Sequence, residues 1–256
     1  MKKIVSMNLA EMNKDFKPGK HDPISDEELQ RLPAPVQKYI KLTKFREKGH
    51  VQTLRLKQKG LFRTGINANW MPFTAEQYFN VDSLSYMWYA KMKGPLGIKF
   101  GAIDKYINGE GHMYVRIANL YTVADSKGDE IDQGELVRLL SELAWIPSAF
   151  TRDFIQWEAI DDLSAKATLT HNDTRASGVF HFDEDGRIIN FTAKRYRSEG
   201  KYYFLEDWAT PIIRYGEIDN LLLPVEYEAN WNLKSGELTY IKLELEAVEY
   251  DVPEMY

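Results

Sequence analysis

The feature that most restricts the fold is a two-residue hydropathy alternation that begins at Val51 and returns in nearly every later segment. Leu54 and Leu56 alternate with Arg55, Lys57 and Lys59. Val225, Tyr227, Ala229, Trp231 and Leu233 alternate with Glu226, Glu228, Asn230, Asn232 and Lys234, and Ile241 to Ala247 repeats the pattern. Successive side chains of a strand point to opposite faces, so this rhythm predicts antiparallel strands with one face wet. Asn108-Gly109, Asp185-Gly186 and Ser235-Gly236 supply the tight turns of hairpins. About eleven such strands exceed what a flat open sheet usually carries, so the sheet must curl.

The alternation is interrupted once by a long helical period, Asp132 to Phe150 (DQGELVRLLSELAWIPSAF). Asp132 with Glu135 three residues on reads as a capping box, and Pro147 as the stop. Leu136, Leu139, Leu140 and Leu143 form one stripe, while Arg138, Glu142 and Trp145 form another at i, i+4, i+7. From Gln133 to Trp145 the helix is about 20 Å long, the right size to fill a curled sheet. The expected fold is therefore α+β and mostly antiparallel β: a strongly curved sheet or open barrel with a central helix across its concave face. Short amino-terminal helices, one opened by a Ser25–Glu28 capping box and one with Pro35 in its first turn, would cover one end.

Residues 1–24 read as a polar lead-in, with Pro18, Gly19 and Pro23 breaking any regular element, and residues 25–256 as a single β-rich domain. The net charge of −5 weighs against a dedicated nucleic-acid binder. No run approaches the ~20 apolar residues of a membrane-spanning helix. The apolar stretch before Glu11 is too short for a signal-peptide core, so the expectation is a cytoplasmic protein. There is no cysteine, which removes thiolate metal sites and cysteine nucleophiles.

Five histidines show no ligand spacing, and the acidic stretches around Asp125–Glu135 and Asp183–Gly186 do not fit a calcium loop, so no metal or cofactor is expected. Phosphate-cradle and serine-nucleophile motifs are absent too. Strand phase is more informative, because a charged residue in the apolar phase must point inward and find a partner. Arg195 continues the phase of Ile189, Phe191 and Ala193; Asp104 that of Phe100, Ala102 and Tyr106; His171 that of Ala165, Ala167 and Leu169. A high aromatic load with scattered inward polar groups suits apolar-ligand binding better than catalysis. The candidate ligand-binding residues are Trp70, Phe73, Trp88 and Trp145 for surface, with Arg138, Glu142 and Arg195 for polar contact. Arg138 or Arg195 would hold an acidic head group.

Several segments in order, LPAPVQKYI (Leu32–Ile40), WMPFTAEQYF (Trp70–Phe79), GELVRLLSELAWIPSAF (Gly134–Phe150), WEAIDDLSAKATL (Trp157–Leu169), AKRYR (Ala193–Arg197) and LPVEYEANW (Leu223–Trp231), carry a family resemblance. The chain resembles an uncharacterised bacterial domain-of-unknown-function family, the one numbered 6544 or the one numbered 6920. The resemblance brings no activity with it. At the level of the fold alone, a curled antiparallel sheet crossed by a helix resembles the periplasmic lipoprotein carriers and related lipid-binding half-barrels. The resulting expectation is a binding module for an apolar or amphipathic small molecule. The alternatives are a carboxylate-based, hydrolase-like enzyme pairing Glu142 with Glu76, Asp104 or Asp161 near Arg138, and a purely structural or interaction domain. Oligomeric state is left open.

Overall fold

The computed structural model describes residues 1–256 apart from 18, 20, 21 and 119, so Pro18 and His21 lie outside the described residues. Four helices come first: α1 (Lys2–Met12), α2 (Asp26–Gln30), α3 (Ala34–Leu42) and α4 (Phe45–Lys48). Six strands follow: β1 (Thr53–Phe62), β2 (Met71–Asn80), β3 (Ser85–Lys93), β4 (Lys99–Ile107), β5 (Glu110–Ile117) and β6 (Tyr121–Ser126). Helix α5 (Asp129–Glu142) interrupts them. The chain then continues through β7 (Ile155–Asp161), β8 (Ser164–His171), β9 (Thr174–Phe182), β10 (Ile188–Glu199) and β11 (Tyr202–Ala209). It ends with β12 (Ile212–Ile218), β13 (Leu221–Leu233) and β14 (Gly236–Tyr250).

The strands form one antiparallel sheet in the order β6-β5-β4-β3-β2-β1-β14-β13-β11-β10-β9-β8-β7, with β12 added alongside β13. Most neighbours are sequential hairpins, and only β1–β14 and β11–β13 join distant parts of the chain. A sheet this wide curls into a half-barrel, and α5 lies against its concave face. The helix is tied to both arms. The Gly111 N–H of β5 donates to Asp132 at 2.6 Å, and Arg195 of β10 donates to the Gly134 carbonyl at 2.8 Å.

One end of the half-barrel is sealed by α2–α4. Val36, Tyr39, Ile40 and Phe45 are fully buried there with Phe150. The Tyr39 hydroxyl donates to the Ala144 carbonyl at 2.7 Å, tying the turn that follows α5 to this plug, and the Tyr250 hydroxyl of β14 donates to the Trp145 carbonyl at 2.8 Å. The capping box of Ser25 and Glu28 is present, as the sequence predicts.

Three local expectations are corrected. Asp132 is not a cap: α5 starts a turn earlier after Gly128, without a side-chain cap, and the Asp132 carboxylate reaches across to β5 instead. Glu135, freed from a capping role, faces the interior and is buried. The segment Met113 to Val123, whose sequence reads as one strand, is two, because the chain reverses at Ala118, which takes φ 49°. The lead-in carries a helix: Val5, Leu9 and Met12 of α1 pack against Tyr78, Met87, Tyr89, Ile103 and Ile107 on the convex face. Central strand β3 is thus covered on both sides, in keeping with its unbroken apolar run. No helix among the described residues is long and apolar enough to cross a membrane.

Candidate functional site

The inner face of α5 presents Glu135, Arg138 and Glu142, three and four residues apart and so on one side of the helix. The Arg138 guanidinium donates to Glu142 at 3.0 Å through Nε and to Asp104 of β4 through Nη1. Asp104 lies between inward-facing Ala102 and Tyr106, as its strand phase predicts. Arg138 also sits over the rings of Tyr86 and Trp88, at 5.1 and 5.3 Å. Beyond Glu142 a chain of amides continues. Gln77 donates to Glu142 at 2.6 Å, Gln58 donates to Gln77 at 3.0 Å, and the Trp88 indole donates to Gln58 at 2.9 Å. Asp104 Oδ1 is a buried acceptor with no hydrogen-bond partner among the described residues.

A second charged group adjoins the first. Arg195 donates to Gly134, to the Tyr240 hydroxyl at 3.3 Å and to Glu135 at a long 3.4 Å, and stacks on Trp208 at 4.9 Å and Trp231 at 5.8 Å. Glu135 also accepts from the Tyr86 hydroxyl. Burial, seconded by the charge of Asp104, pushes the Glu135 carboxyl up to about 8 against the pull of Arg195 and Arg138. Burial likewise holds Glu142 above its ordinary value, opposed by Arg138 and Gln77. The two arginines are therefore not equivalent. Arg138 is matched by two carboxylates, whereas Arg195 faces one, at a longer distance, whose carboxyl burial holds above its ordinary value.

Of these groups, Trp88, Asp104, Glu135, Arg138, Glu142 and Arg195 form the floor of a cavity of about 520 Å³. Its walls are largely apolar, including Met92, Phe100, Val115, Trp208, Trp231 and Leu238, and Arg63, Val123 and Arg197 are also part of the lining. Of the residues singled out from the sequence, Trp88, Arg138, Glu142 and Arg195 line it together. Phe73 is buried behind, its ring edge-on to Trp88 at 5.6 Å. Trp145 is buried below the floor, donating to the Pro224 carbonyl at 2.9 Å and packing on Tyr227 at 5.2 Å. Trp70 lies outside the lining, between the cations of Arg63 and Lys242. Among the alternative carboxylates, Asp104 joins Glu142. Glu76 accepts from Tyr78 at 2.9 Å outside the lining, and Asp161 caps a surface turn through Ser164. His171 meets the Tyr106 hydroxyl at 3.1 Å.

Gln58, Gln77 and Glu135 were not singled out from the sequence. The two glutamines were within reach of strand phase, since Gln58 follows Leu54 and Leu56, and Gln77 sits between Ala75 and Phe79. Glu135 was hidden by its plausible role as a cap. No group of three His, Asp or Glu side chains among the described residues is placed to hold a metal ion.

With this geometry in hand, the sequence profile of a family of unknown function, DUF6544, matches residues 22–243. The chain belongs to that family. Among solved structures, a LolA superfamily protein from Nitrosomonas europaea aligns with a TM-score of 0.46 at 11% identity, covering 85% of this chain and 93% of that one. A DUF1329 family protein from Desulfovibrio piger aligns with a TM-score of 0.45 at 12% identity, covering 86% and 94%. No curated protein matches the sequence.

Proposed function

We propose that this DUF6544 protein is a binding module for an amphipathic small molecule with an acidic head group, held between α5 and the concave face of the sheet. The observation that carries this reading is the cavity of about 520 Å³ with apolar walls and buried charges at one end. Its size falls within the ~300–1,000 Å³ of small-molecule pockets. Charge counting favours Arg195 over Arg138 for the head group. Asp104 and Glu142 both pair with Arg138 and would repel an anion, whereas Arg195 pairs with Glu135 alone, at a long 3.4 Å, and its other hydrogen bonds go to the neutral Gly134 carbonyl and Tyr240 hydroxyl. The acidic group belongs on Arg195, with Trp208 and Trp231 flanking it, and the apolar body runs along Met92, Phe100 and Val115.

Titration with a fluorescent long-chain fatty acid tests this directly. Saturable one-to-one binding is expected, displaced by unlabelled fatty acid. Arg195→Gln should weaken it roughly 10- to 100-fold, the usual worth of hydrogen bonds to a charged group, while leaving binding of an uncharged alkanol of equal length unchanged. Ala102→Phe, which puts a ring into the cavity wall, should remove both. Absence of saturable binding to any chain length, or an Arg195→Gln variant that binds the acid as well as the parent, would sink the reading.

A further inference from the structure

Two turns next to the cavity present large apolar side chains that stay exposed among the described residues. In the turn between β3 and β4, Leu96 is 100% exposed and takes φ 57°, a backbone region that bulky residues rarely occupy. Ile98 is exposed beside it. In the turn between β5 and β6, Leu120 is 71% and Tyr121 72% exposed, and Val123 is exposed just after. The Ala118 N–H donates to the Lys99 carbonyl at 2.8 Å, and Phe100 pairs with Ile117, so the two turns form one projecting lip. Met92, Phe100, Val115 and Val123 at its base line the cavity.

The charge around this lip runs against that of the chain. The protein carries a net −5, yet neither residues 92–102 nor residues 113–123 contain an acidic residue, and together they supply Lys93, Lys99 and Arg116. Lys93 and Lys99 are exposed and have no ion pair among the described residues. A convex apolar tip collared by lysines fits a soft, negatively charged surface into which leucine can sink and around which lysine can reach phosphates. A second copy of the chain fits poorly, because a two-fold contact through this lip would set Lys93 and Lys99 against their own counterparts.

We infer that the lip formed by the β3–β4 and β5–β6 turns docks on the surface of an anionic phospholipid bilayer, seating Leu96, Leu120 and Tyr121 in the headgroup region and bringing the cavity wall at Met92, Phe100 and Val115 close to the lipid. The inference stands on the exposed lip and its charge, independently of what the cavity holds.

Flotation of the full chain, with no fatty acid added, tests it using vesicles of phosphatidylcholine alone and of phosphatidylcholine with phosphatidylglycerol. Binding is expected to the phosphatidylglycerol vesicles and to weaken with added salt. Lys93→Gln with Lys99→Gln should lower the partition coefficient about 30-fold, from the usual attraction of two basic residues to an anionic surface. Leu96→Asp should lower it about tenfold or more, from the loss of one inserted leucine. Both changes lie on exposed positions, so unaltered circular dichroism and unaltered titration with the fluorescent fatty acid should show that fold and cavity are intact. A parent protein that stays with the pellet at low salt overturns the inference, as do variants that float like the parent. Dimerisation by light scattering that is lost in Leu96→Asp, without flotation of the parent, would give the lip to a second copy and overturn it equally. Since flotation needs no cargo, its failure would leave the cavity reading untouched, and the converse holds.

Discussion

Glu135 is the residue whose chemistry departs furthest from its local sequence context. Its folded-state carboxyl sits at about 8 against an ordinary 4.5. Between those values the native protein holds a proton that the unfolded chain has released, so stability falls as pH rises through the window and levels off above it. Glu135→Gln keeps the shape without the ionisation. The difference in stability between parent and variant, from urea unfolding at a series of pH values, should change between pH 4.5 and 8 with a slope approaching ~1.4 kcal/mol per pH unit. Parallel curves across that window would mean that Glu135 carries no such proton. Arg138 makes the complementary case. Its side chain is 13% exposed and that of Glu142 5%, so this is a desolvated pair, and Arg138→Leu strands both Glu142 and Asp104. The expected cost is on the order of 3–5 kcal/mol. Glu142→Gln in that background should recover part of the loss, and adding Asp104→Asn should recover more, as read by double-mutant cycles in denaturant. Near-zero, additive effects would contradict burial of the charged floor.

At the scale of elements, the parts that were legible in sequence are those whose signal repeats along the chain. The alternation in β1, β13 and β14 gave strands, hairpins and a sheet too wide to stay flat. The leucine stripe of α5 gave the helix that fills it. Phase was strong enough to turn Asp104 and Arg195 inward, because a one-residue slip would have exposed Ala102, Tyr106 and Phe191, all buried, although a bulge between Ile188 and Asn190 leaves Ile189 of the same stripe exposed. What failed were choices that distant partners decide. Asp132 has a cap's spacing, but the β5 backbone at Gly111 offers it a donor, and the helix gains a turn beyond it. Glu135 was assigned locally for the same reason, although Tyr86 and Arg195 claim it from β3 and β10. The split between β5 and β6 turns on Ala118 adopting a positive φ, which an alanine does not advertise. Helix α1 has only three buried positions, Val5, Leu9 and Met12, and a helix of 11 residues is marginal alone. Its apolar stripe becomes meaningful only once the convex face of β2–β4 exists to receive it.

For the molecule as a whole, the two faces of the sheet carry unequal loads, and this sets a hierarchy of stability. The concave face holds one continuous core that includes the fully buried Leu136, Val137 and Leu140 of α5, together with the plug of α2–α4. On the convex face α1 is fastened by three side chains and a few polar contacts, such as Asn80 to the Met12 carbonyl at 2.9 Å and Lys105 to Asn8 at 2.7 Å. Local opening free energy follows buried apolar contact, so α1 should detach without disturbing the rest, whereas α5 cannot leave without unmaking the core. Native-state hydrogen exchange at low denaturant should therefore show peptides spanning residues 2–12 exchanging through local openings that are insensitive to denaturant. Peptides spanning residues 134–142 should exchange only with global unfolding and with its full denaturant dependence. Equal protection of the two segments would make α1 part of the main cooperative unit. If the segments separate as expected, each opening of α1 uncovers Met87 and Tyr89 on the far side of the strand that carries Trp88 of the cavity floor and Tyr86, the partner of Glu135. Strand β3 would then be the structural link between the two faces.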